Sequence, residues 1–114
     1  MQIKFKGAKM REKIKRTILK VAGKYGVKVE KIILFGSRAR GDYREDSDWD
    51  VLIVTERKID ENIKYKLLHE IRRSIVWRFD VPVDVIIVDR EYMESYKDVY
   101  GSIVGMAMLE GSII

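Results

Sequence analysis

Two clusters of residues in this chain have the types and spacing for phosphoryl chemistry. The stretch Phe35-Gly36-Ser37-Arg38-Ala39-Arg40-Gly41 is a small, polar, cationic turn, and ten residues separate Ser37 from Asp48-Trp49-Asp50. A glycine lets the backbone come close to a ligand. The N–H groups that open a helical turn, with the Ser37 hydroxyl, can bind phosphate oxygens. Gly36, Ser37 and Arg38 are therefore the candidate nucleotide-binding residues, Arg38 through a charge-assisted contact. Arg40 and Gly41 are expected to fix the loop, with Arg40 paired to an acidic neighbour.

Residues i and i+2 of a strand project to one face, so Asp48 and Asp50 point together while Trp49 points away. Two carboxylates roughly 7 Å apart along one strand face repel each other unless solvated or bridged by cations. Two magnesium ions about 3.5–4 Å apart can clamp both oxygens of a phosphoryl displacement, and they require a third carboxylate. Asp84 is the candidate. It interrupts the apolar run Val83-Asp84-Val85-Ile86-Ile87-Val88, where an unpaired buried charge is costly. If its strand neighbours the one bearing Asp50, Asp48, Asp50 and Asp84 form the catalytic and metal-binding set. Asp89, at the end of the run, reads as a cap.

Asp-x-Asp alone arises by chance in roughly a quarter of chains this long, and with Gly-Ser at this offset in about one in several hundred. The combination Gly36-Ser37-Arg38-Ala39-Arg40-Gly41, Ser47-Asp48-Trp49-Asp50 and Val83-Asp84-Val85 resembles the minimal nucleotidyltransferases of the DNA polymerase beta superfamily. The resemblance covers nearly the whole chain. It implies an α+β (α/β) fold, a small mixed β-sheet flanked by helices. It also implies transfer of a nucleoside monophosphate from a triphosphate to a hydroxyl, with release of pyrophosphate. Members of this size are often encoded beside a small helical HEPN protein. The resemblance then implies a magnesium-dependent antitoxin that transfers AMP from ATP to a tyrosine of a HEPN toxin. Two alternatives stand beside it: a non-catalytic module that neutralises a HEPN partner by occlusion, and an enzyme that modifies nucleic acid.

The elements that must position these residues are legible as periodicities. Ile14, Ile18, Val21, Ala22 and Tyr25 recur at helical spacing, which predicts a helix from about Met10 to Tyr25 that stops at Gly26. Lys31–Phe35 and Asp48–Val54 read as strands, with a short helical piece over Arg38–Arg40. Ile59, Ile63, Leu67, Leu68, Ile71, Ile75 and Val76 mark the apolar face expected of a helix from about Asp60 to Phe79, with Asp60 as N-cap. Val81–Val88 is a third strand with Pro82 at its entry. Short helices over Arg90–Tyr96 and Gly101–Glu110 precede a Gly111–Ile114 tail. Alternating helices and strands predict a mixed sheet covered by helices.

At 114 residues the chain is expected to be a single domain, residues 1–114, with one hydrophobic core and no separate substrate domain. Without cysteine, any metal must be held mainly by oxygen ligands. Met1–Lys6 lacks the apolar run of a signal peptide, and no stretch approaches the roughly 20 apolar residues of a membrane span; a cytoplasmic location is expected. The net charge of +5 suits a polyanionic partner such as a nucleoside triphosphate. The basic N-terminal segment, Lys4 to Lys20, has no interleaved aromatics to serve as a single-strand stacking platform and reads as a solvated helix face. His69 reads as a structural or surface residue, and Trp49 and Trp77 as core or groove-edge packing. Tyr92, Met93, Tyr96, Tyr100, Ile103, Val104, Met106, Met108 and Leu109 offer more apolar surface than short helices can bury. They make a HEPN interface or a homo-oligomer a candidate use of the C-terminal third.

Overall fold

Residue order alone nearly dictates the architecture that the computed structural model shows over the described residues, 8–114. Lys4 and Lys6 of the basic N-terminal segment lie outside them. Helix α1 (Ala8–Lys24) leads to strand β1 (Val29–Phe35) and a one-turn helix α2 (Ser37–Arg40). Strand β2 (Trp49–Thr55), helix α3 (Glu61–Phe79) and strand β3 (Val83–Asp89) follow. Helices α4 (Arg90–Tyr96) and α5 (Ile103–Glu110) and a short strand β4 (Ser112–Ile113) complete the chain.

The sheet order is β3-β2-β1-β4. β1 runs antiparallel to β2 and to β4, whereas β2 and β3 are parallel and joined by α3 as the crossover, so the sheet is mixed as expected. Strand alternation then sorts the side chains onto two faces. Ile32, Leu34, Val51, Ile53, Val85 and Ile87 pack with α1 and α3. Ile33, Leu52 and Val54 pack with Met93 of α4 and Val104 and Ala107 of α5. By the same parity Asp50 and Asp84 belong to the α4/α5 face, and Trp49 to the α1/α3 face.

Helix α3 buries Leu67, Ile71 and Ile75 completely, one turn apart. Each contributes about 1.5–3 kcal/mol relative to an exposed side chain. Asp60 caps it as expected, accepting from the Asn62 N–H at 2.9 Å. Ile63 and Val76 are exposed rather than core-facing, and Trp77, expected to pack, is 84% exposed. Two positions past Ile75 is about 200° around a helix, which points Trp77 away from the sheet. His69 is on the surface beside the Tyr65 ring, with 4.3 Å between centroids. Asp89 caps α4, accepting from the Tyr92 N–H at 2.8 Å.

The tail after α5 is not a loose end, because Ser112 and Ile113 pair with Leu34 and Ile33 of β1. In the C-terminal third, Met93 and Val104 are core residues. Tyr92, Tyr96, Tyr100, Ile103, Met106, Met108 and Leu109 are exposed, Leu109 to 82%. No described helix is long and apolar enough to cross a membrane.

Candidate active site

Strand β1 ends opposite the acids. Phe35 pairs with Asp50 across the antiparallel ladder, and Asp50 pairs with Asp84 across the parallel one. Three neighbouring strand positions thus bring the turn after β1, the Asp-x-Asp strand and the third carboxylate together, as the sequence pattern requires. Gly36 has φ 75° and ψ −160°, a combination open essentially only to glycine. A β-carbon there would also overlap the Asp50 carboxylate. The backbone conformation requires the glycine, and a β-carbon would in addition force the Asp50 carboxylate to shift.

Beyond Gly36 the chain makes a single helical turn in which Ala39 and Arg40 donate their N–H groups to the Gly36 carbonyl at 3.1 and 3.0 Å. The N–H groups of Ser37 and Arg38 have no acceptor among the described residues, as the first donors of any helix lack one. These donors and the Ser37 hydroxyl are the groups of the turn that could bind an anion.

Asp50 is half-buried, and its pKa is raised above the ordinary carboxylate value, first by burial and then by the neighbouring charges of Asp84 and Asp48, with Arg40 opposing. Asp48 lies just before β2 and is exposed. Asp84 is also exposed. That corrects the expectation of a buried charge. β3 is an edge strand whose Val83, Val85 and Ile87 face the core while Asp84 faces out, so its claim to the site rests on its register with Asp50 and not on a desolvation cost. Among the described residues no three carboxylate or imidazole side chains stand together closely enough to hold one metal ion. In kind, however, the donors fit magnesium. They are hard carboxylate oxygens, one of them partly desolvated beside two like charges, a state that a divalent cation relieves.

The two arginines of the turn have different partners. Arg38 donates to the carbonyls of Glu45 (3.0 Å) and Ser47 (3.1 and 3.3 Å). Its guanidinium also lies over the Tyr43 and Trp49 rings at 4.4 and 4.8 Å. In this structure it clamps the 42–48 connection onto the start of β2. Arg40 pairs with acidic neighbours as expected, with Asp42 at 3.3 Å and with Glu110 at 3.1 Å.

Glu110 is the participant that sequence reasoning missed. Its Oε1 accepts from the Gly36 N–H at 3.1 Å, across 74 residues of chain. The only sequence signal was a lone charge ending the apolar run Ile103–Leu109. A cavity of about 210 Å³ lies at the other end of β2 and β3, lined by Thr55, Lys58 and Asp89 among others, and includes none of the candidate site residues.

Residues 12–102 match the family model described as polymerase beta, nucleotidyltransferase. The chain belongs to this nucleotidyltransferase family. Two candidate protein adenylyltransferases of Methanocaldococcus jannaschii are among its relatives. One is 36% identical over 78 residues, covering 68% of this chain and 72% of its own. The other is 37% identical over 70 residues, covering 61% and 66%. Among solved structures the nucleotidyltransferase resembles a chain of a toxin–antitoxin complex with AMP-PNP, with a TM-score of 0.56 and 20% identity over 86% of this chain and 69% of that one. It also resembles a chain of the complex between a tri-AMPylated Shewanella oneidensis HEPN toxin and its MNT antitoxin, with a TM-score of 0.52 and 18% identity over 90% and 69%. At these identities the structural likeness establishes the fold.

Proposed function

We propose that this nucleotidyltransferase is an antitoxin that transfers AMP from ATP to a tyrosine hydroxyl of a HEPN-family partner. The observation that carries the reading is the three-strand register that sets Gly36-Ser37 beside Asp50 and Asp50 beside Asp84. The adenylyltransferase names of the relatives and the AMPylated HEPN complex among the structural neighbours support the donor and acceptor classes.

In this reading the Ser37 and Arg38 N–H groups and the Ser37 hydroxyl hold the triphosphate, while the clamped 42–48 connection borders it. Asp48, Asp50 and Asp84 would hold magnesium, most simply two ions. Asp48 and Asp84 are exposed and reorient at little cost, whereas Asp50 is half-buried beside Gly36. Magnesium held there would supply neutralisation of the phosphate charge and would favour the ionised hydroxyl. The tyrosine oxygen attacks the α-phosphorus, the bond to pyrophosphate breaks, and Asp84 receives the hydroxyl proton. Product AMP–tyrosine and pyrophosphate balance the reaction. The exposed apolar side chains of α5 offer the partner a docking face on the same side of the sheet as the acids.

One observation favours occlusion without catalysis. The apolar face of α5 is already exposed and available to a partner. Co-expression with a HEPN protein separates the two readings. The catalytic reading predicts AMP on a partner tyrosine by peptide mass spectrometry with the wild type and none with Asp48→Asn/Asp50→Asn. Full neutralisation of the partner by the double variant, with no AMP on either sample, would establish occlusion instead.

A further inference from the structure

We propose that Glu110 is a positioning residue for the phosphate turn, holding the Gly36 peptide and Arg40 so that the Ser37 and Arg38 N–H groups face the triphosphate. The inference rests on the nucleotide-binding part of the reading above. Glu110 Oε1 accepts from the Gly36 N–H at 3.1 Å and from Arg40 Nη1 at 3.1 Å, and Oε2 accepts from the same Arg40 nitrogen at 3.1 Å. One carboxylate therefore ties the residue before α2 to the last residue of α2.

Nothing else among the described residues performs this role. The one-turn helix has no side-chain N-cap, and Gly36, with its positive φ, has the least intrinsic preference for one peptide orientation. On the far side of the Gly36 α-carbon, its carbonyl accepts from both Ala39 and Arg40, so the residue is held through its N–H by Glu110 and through its carbonyl by the turn. What remains open at the turn is the pair of Ser37 and Arg38 N–H groups.

Glu110 is itself held from both sides. It ends α5, anchored by buried Val104 and Ala107. Gly111 follows immediately, packed so tightly that a β-carbon would stand 2.6 Å from Ile33 Cγ2 and 2.9 Å from the Leu34 carbonyl. Ser112 then pairs with Leu34. A side chain fixed in this way, with only 21% of its surface exposed, is a strut and not a mobile occupant awaiting displacement by phosphate. It uses the Gly36 and Arg40 donors and leaves the Ser37 and Arg38 donors free. Its charge does not help anion binding directly, so its contribution is orientation.

Isothermal titration with AMP-PNP and magnesium tests this on wild type, Glu110→Ala, Glu110→Asp and Glu110→Gln, each checked by thermal melting. Loss of a charge-assisted hydrogen bond to the turn should weaken AMP-PNP binding by about tenfold in Glu110→Ala. Glu110→Asp, with its carboxylate withdrawn by one methylene, should be similarly weak. Glu110→Gln still offers an oxygen to the Gly36 N–H and should stay within about threefold of wild type. Should the alanine variant fail to fold, the contrast between Asp and Gln at wild-type melting temperature decides the matter. Equal affinity across the folded variants, or tighter binding on removal of the carboxylate, overturns the inference while leaving the nucleotide reading intact. No binding by the wild type overturns both.

Discussion

The Asp50 carboxylate lies against the α-carbon of Gly36, in the volume that a β-carbon at residue 36 would occupy. The turn after β1 and the central acid are thus in close contact. Gly36→Ala meets both this overlap and a backbone at φ 75°. It should lose roughly 1–3 kcal/mol of stability in urea denaturation and, at temperatures where it remains folded, most of its AMP-PNP affinity.

Ionised Asp50 is a cost to the metal-free fold. Burial, and then the charges of Asp84 and Asp48, raise its folded pKa above the unfolded value. The cost is absent below the ordinary carboxylate range near pH 4, appears as pH rises, and is complete above the raised folded value. In EDTA, Asp50→Asn should therefore melt above the wild type at pH 7, and the difference should vanish as pH falls through the carboxylate range. Melting curves at several pH values check this. Added magnesium should stabilise the wild type more than the variant.

Much of this site was legible in the sequence because its core is local. Gly36-Ser37 and Asp48-Trp49-Asp50 flank one short connection, and the parity of a strand places Asp50 opposite Trp49 without knowledge of the fold. The neighbourhood of Asp84 stood only as a condition on which strands pair, and the parallel pairing of β2 with β3 meets it. Its exposure was not legible, since a run such as Val83–Val88 does not say whether a strand is central or at an edge. Glu110 was invisible because its contact spans 74 residues and depends on how α5 returns across the sheet. The burial of Trp77 was misjudged although helical geometry already held the answer, two positions beyond Ile75.

Arg38 should behave as the clamp of the 42–48 connection. Arg38→Ala removes three hydrogen bonds to the Glu45 and Ser47 carbonyls and two ring contacts. Tryptic cleavage after Arg44 should accelerate about tenfold, with the melting temperature little changed. Arg38→Lys should not restore protection, since an ammonium lacks the planar fork that stacks and donates to two carbonyls at once.

The α5 surface should matter to a partner and not to the fold. Met106 and Leu109 are exposed, so Met106→Glu/Leu109→Glu should leave stability within about 0.5 kcal/mol per substitution by urea denaturation. Capture of a co-expressed HEPN protein should be lost. AMP-PNP affinity should not change, which separates docking from the nucleotide site.

The most direct test of the central claim is to follow label from ATP radioactive at the α- or the γ-phosphate, incubated with magnesium, this protein and a HEPN partner. Label is expected on the partner from α-labelled ATP alone, abolished by Asp48→Asn/Asp50→Asn in a protein that still folds. Label arriving from the γ-phosphate, or undiminished transfer by the double variant, would contradict that claim.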